Sequence, residues 1–74
     1  MSVTLEAIAE TLFEIVRKSP NGVGWYGAEM RCAIPRSEFP DGLNVKDVLD
    51  ALVADGSLIK STIEGKEKYT VASS

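Results

Sequence analysis

Six basic side chains could hold a nucleic-acid backbone: Arg31, Arg36, Lys46, Lys60, Lys66 and Lys68. Phosphate binding needs cations gathered on one surface, so their value depends on the fold that positions them. Other chemistry is thinly supplied. Cys32 is the single cysteine, and histidine is absent. A lone thiol lacks co-ligands for a metal, and without an imidazole no Ser-His or Cys-His mechanism is available. Cys32 therefore reads as a small, buried or half-buried apolar residue. Glu29, Glu38 and Asp41 are not spaced to bring two carboxylates together. Gly22, Gly24 and Gly27 lie close together, but no P-loop lysine follows them. The expectation is a protein that is not an enzyme and holds neither cofactor nor metal.

A second set of residues suits contact with a protein. Trp25 and Tyr26 sit between glycines, where one is expected to pack under neighbouring structure and the other to be exposed. Phe39 lies in a proline-rich loop and has two readings, exposed at the loop tip or folded back over the core. Glu6, Glu10 and Glu14 recur every four residues, the pattern of a solvated helix face, with Glu14 spaced to pair with Lys18.

These residues must be positioned by one domain, since 74 residues leave no room for a second. A domain of this size buries roughly 60% of its unfolded surface, enough for one modest core. Hydrophobic residues at 45% are too many for a disordered chain. No apolar run is long enough to span a membrane, and the start lacks the basic and apolar regions of a signal peptide. With one cysteine, the expected setting is reducing and cytoplasmic. Net charge is −3, and its distribution is uneven. Residues 1–16 carry three glutamates and no base, whereas residues 17–74 balance 8 basic against 8 acidic groups.

Periodicity predicts the elements. Leu5, Ile8, Ala9, Leu12, Ile15 and Val16 form one apolar stripe on a helix from about Thr4 to Lys18, capped by Ser2 or Thr4. Val23 to Tyr26 reads as a minimal strand. A second helix follows from Ala28 to about Ile34, with Met30, Ala33 and Ile34 facing inward and Pro35 ending it. Residues 35–43 form a loop anchored by Phe39 and Leu43. Asn44 caps a third helix, with Asp47 three residues on and Leu43 with Val48 as a staple. Val45, Val48, Leu49, Leu52 and Val53 supply its buried stripe, and Gly56 its left-handed end. Two strands, about 58–63 and 66–71, meet at Glu64-Gly65, which pairs Leu58 with Val71 and Lys60 with Tyr69. Leu58, Tyr69 and Val71 then face inward, and Ile59 and Ile63 outward.

Helix, short strand, helix, helix and hairpin resembles the winged helix-turn-helix superfamily. The most specific stretch is Val45-x3-Leu49-x2-Leu52-x3-Gly56-x-Leu58, followed by Tyr69-x-Val71, which looks like the third helix and wing of many bacterial regulators. Residues 28–35, AEMRCAIP, are similar to the second helix and the turn after it. The resemblance implies an α+β domain over residues 1–74, a three-helix core with a C-terminal β-hairpin wing. It also implies a third helix in the DNA major groove and a wing on the backbone. By position, Asn44 and Lys46 would sit at the groove, while Arg31, Arg36, Lys60, Lys66 and Lys68 hold phosphates. The third helix departs from that pattern, since Asp47, Asp50 and Asp55 oppose Lys46 and repel phosphate.

Two functions follow. One is a small DNA-binding transcriptional regulator or accessory factor, dimerising to gain affinity. The other is a protein–protein interaction module that binds no nucleic acid, with Trp25, Tyr26, Phe39, Ile59 and Ile63 as its contacts.

Overall fold

The computed structural model describes residues 4–72, with every side chain among them except those of Arg36 and Asp41. Ser2, considered as a cap, lies outside the described residues. Thr4 serves instead: its hydroxyl oxygen accepts the Ala7 N–H at 3.1 Å and opens α1, Leu5–Arg17. The stripe predicted for α1 is present from Ile8 onward, whereas Leu5, at the first turn where no neighbouring element covers it among the described residues, keeps 47% of its surface exposed. Ile8, Leu12 and Val16 are buried, while Ala9 and Ile15 pack partly against them.

The chain turns after α1 through Gly22, whose φ of +87° is readily available only to glycine. A Cβ there would stand 3.1 Å from that of Lys68, so the turn also needs glycine to approach the hairpin. Val23 then exchanges two backbone hydrogen bonds with Tyr69, at 3.1 and 2.8 Å. This single bridge is the whole of the short strand expected over 23–26.

Helix α2 spans Trp25–Cys32 and so begins three residues earlier than the sequence suggests. Gly24 takes the extended cap position, and its carbonyl accepts the Ala28 N–H at 3.0 Å. The earlier start resets which residues face inward. Ala28 and Cys32, four apart, are buried, whereas Met30 lies on the far side with 71% of its surface exposed. Ala33 is also exposed, and only Ile34 of the three residues expected inward packs against the core. The helix stops before Pro35 can act on it, because Ala33 is left-handed at φ 55°.

Residues 36–42 form two single turns of 3₁₀ helix, Arg36–Glu38 and Pro40–Gly42. Between them Phe39 folds back into the core, with 7% of its surface exposed. Helix α3, Val45–Ala54, starts with a reciprocal capping box between Asn44 and Asp47. It buries Val45, Val48 and Leu49, with Leu52 and Val53 packed beside them, and Gly56 follows at φ +90°.

Strands β1, Leu58–Ile63, and β2, Lys66–Val71, form an antiparallel hairpin in the expected register. Glu64 and Gly65 both have positive φ, as a two-residue type I′ connection requires. Leu58 and Tyr69 close the core from below, and Val71 packs partly against it. Three helices and a C-terminal two-stranded hairpin give an α+β arrangement consistent with a winged helix. No described helix is long and apolar enough to cross a membrane.

Candidate interaction surface

The polar groups of α3 are engaged with one another and with the hairpin. The Asn44 side-chain oxygen accepts the Asp47 N–H at 3.0 Å, and Asp47 returns the contact by accepting the Asn44 N–H at 3.0 Å. One turn on, the Lys46 ammonium lies 3.4 Å from Asp50. The other oxygen of Asp50 accepts the Tyr69 hydroxyl at 2.8 Å and lies 3.6 Å from Lys60. Lys60 in turn pairs with Glu67 at 2.9 Å, and its ammonium stands 6.0 Å from the centre of the Tyr69 ring.

Asp50 is therefore the point where α3, β1 and β2 are tied together. The Tyr69 hydroxyl above all holds its carboxyl below the usual aspartate range; burial opposes it, and Lys46 and Lys60 each add a smaller lowering effect. Burial first, and then the hydrogen bond to Asp50 and its charge, push the Tyr69 phenol up. Glu67 raises Lys60. No local pattern in the chain signals this hub, since it depends on three elements converging.

Among the described side chains the candidate phosphate contacts do not gather into one strip, although Lys46 and Lys66 border one depression. Lys46 and Lys60 meet only through Asp50. Arg31 points back toward α1, donating to the Ser19 hydroxyl at 2.8 Å. Arg36 has a side chain outside the described residues. Lys66 and Lys68 belong to the outer face of the hairpin, with Ile59, Ser61 and Ile63. Glu67 projects from the opposite face, where it neutralises Lys60. The strand register thus sorts three lysines and two glutamates that nearly balance when merely counted along the wing: the outer face carries two of the lysines and no acid.

Both aromatic candidates are exposed, Trp25 by 42% and Tyr26 by 57%. Neither packs under the hairpin, because the early start of α2 places them on its first turn at the surface. Their rings lie 5.8 Å apart, and Met30 follows Tyr26 at the next turn. Met30 was missed because the later helix start turned it inward. Trp25 separates two shallow depressions. One, of about 360 Å³, is lined by Trp25, Tyr26, Lys46, Lys66 and Glu67 with the glycines at 24 and 65. The smaller, about 160 Å³, lies between Trp25, Glu29 and the start of α3. Ile59 and Ile63 are exposed as expected, whereas Phe39 is withdrawn into the core and offers no contact.

Cys32 is buried, its thiol donating to the Glu29 carbonyl at 3.3 Å. Among the described residues no three His, Cys, Asp or Glu side chains cluster as metal ligands. Compared with known proteins, the chain significantly matches no family model, no curated protein and no solved structure.

Proposed function

We propose that this chain is a non-enzymatic protein-interaction module of winged-helix type, which engages its partner through Trp25, Tyr26 and Met30 on α2. One observation carries the reading: the helix that would enter DNA spends its polar groups on itself and on the hairpin. From Asn44 to Asp55 it has one lysine against three aspartates, and that lysine is paired. A phosphate approaching α3 meets Asp47 and Asp50 together with a lysine already paired to Asp50. Beside this helix stand two exposed aromatics and an exposed methionine, residue types that anchor protein interfaces when desolvated.

The test has two arms. Titration of fluorescein-labelled mixed-sequence duplex DNA at low salt is expected to leave anisotropy unchanged. A photo-crosslinking residue at position 30, introduced in the native cells, is expected to give a protein adduct that Trp25→Ser together with Tyr26→Ser abolishes. DNA binding with no such adduct would overturn the proposal.

One observation favours a DNA-binding regulator as the second reading. Lys66 and Lys68 share the outer hairpin face with no acid beside them. Two phosphate contacts would give a log–log salt slope of about −2, against about −5 if all six nominated bases took part.

A further inference from the structure

Two outward surfaces of this fold are opposite in charge and alike in apolar content. The first is a groove along α1 and α3. Its floor is Ala9, Phe13 and Leu52, its rim is Glu6, Glu10 and Glu14, and its volume is about 580 Å³. It continues past Ala9 and Leu52 into a second depression of about 380 Å³, edged by Leu5 and Asp55. Of the acids on this rim, Glu14 pairs with Arg17, and Glu6 and Glu10 form no ion pair among the described residues. The second surface is the outer face of the hairpin. There Ile59 and Ile63 keep 45% and 42% of their surfaces exposed, opposite Thr70 and Lys66, with Lys68 between them. The turn at Gly22 approaches this face beside Lys68 and Thr70 and leaves Ile59 and Ile63 exposed.

We propose that the outer hairpin face of one copy seats in the α1–α3 groove of a second copy. Ile59 and Ile63 cover the floor at Ala9, Phe13 and Leu52, and Lys66 and Lys68 meet Glu6 and Glu10. The charges favour a second copy as the occupant, because the chain itself carries both a basic apolar ridge and an acidic apolar groove. Like faces would not pair, since each would set equal charges against each other. The contact is therefore between unlike surfaces. It closes into a dimer if each ridge enters the other groove, and otherwise extends head to tail.

The contact rests on two isoleucines and two lysine–glutamate pairs at the surface, so association depends on concentration and salt. The proposal goes beyond the partner surface on α2 and meets it only at Lys66, which borders the Trp25–Tyr26 depression: Trp25→Ser with Tyr26→Ser leaves self-association unchanged.

Sedimentation of the full chain over a concentration series at low and high salt tests it, with NMR shifts recorded on dilution. The expected result is association that high salt weakens, with shifts at both Ala9–Phe13 and Ile59–Ile63. Glu10→Lys alone and Lys68→Glu alone each weaken association at least tenfold, and the two combined in one chain restore it. Ile59→Ser, at an exposed site, weakens association without charge change, and circular dichroism verifies that each variant folds. A chain that stays monomeric overturns the proposal, as do single reversals without effect or a double variant that fails to recover. Groove shifts caused only by an added lysine-rich amphipathic peptide would assign the groove to another protein and also overturn it.

Discussion

Replacing Tyr69 with phenylalanine keeps the buried ring and removes only the hydroxyl that donates to Asp50 at 2.8 Å. A hydrogen bond to a charged group contributes roughly 1.5–3 kcal/mol net. Here water can take over part of the lost contact, because the Asp50 side chain keeps 39% of its surface exposed. Phenylalanine also leaves no unsatisfied donor behind. The expected loss at neutral pH is therefore about 1 kcal/mol, a fall of roughly 4–8 °C in Tm for a domain of this size. The sign of its pH dependence follows from the two partners. Asp50 has a lowered folded pKa, so its contribution is present above the unfolded value of about 4 and is lost as pH falls through the folded one. Tyr69 has a raised folded pKa, so its contribution is complete below about 10 and disappears as pH rises through the higher folded value. The stability gap between wild type and Tyr69→Phe should thus be widest between these limits and narrow outside them. Urea denaturation followed by far-ultraviolet circular dichroism measures it at pH 3 and pH 7, since the sole tryptophan is exposed and reports the core poorly. An equal gap at both pH values, or one below about 0.3 kcal/mol at pH 7, would refute the role given to Asp50.

Three further outcomes are expected. Asn44→Ala removes one half of the capping box and should cost about 1 kcal/mol in urea denaturation. Gly22→Ala meets both a left-handed backbone and a 3.1 Å contact with Lys68, while Gly42→Ala meets the backbone penalty in open space; thermal melts should show the first to be the more damaging. Trp25→Ser with Tyr26→Ser should change stability by no more than about 0.5 kcal/mol per site, as both side chains are exposed, yet reduce partner crosslinking at least tenfold.

Elements whose signals are local were legible in the sequence. Helix α1 has an unbroken apolar stripe, α3 has a cap at Asn44 and a glycine stop at 56, and the hairpin register follows from Glu64-Gly65. Helix α2 was misplaced because its start depends on a distant partner. Val23 pairs with Tyr69, and once that bridge forms Gly24 can turn the chain into a helix, carrying Trp25 and Tyr26 away from the strand position their types suggest. Phe39 had no local determinant either, since only the assembled core offers it a place. The charges were legible in number and not in position: Glu67 balances Lys60 on one side of the hairpin and leaves Lys66 and Lys68 unopposed on the other.

Asp50 links these points into one argument about α3. An exposed helix aspartate reads as a surface group that repels phosphate, and by charge alone it only weakens the case for DNA. In the folded chain it does more, because it accepts from Tyr69 and draws in Lys46 and Lys60. Releasing either lysine to a phosphate would cost an ion pair and leave Asp50 facing the same phosphate. The contacts that set the hairpin against α3 therefore compete directly with nucleic-acid binding by that helix. The faces of the hairpin and α2 that lie outside this network have no such competition, and they are where the exposed apolar side chains Ile59, Ile63, Trp25, Tyr26 and Met30 collect.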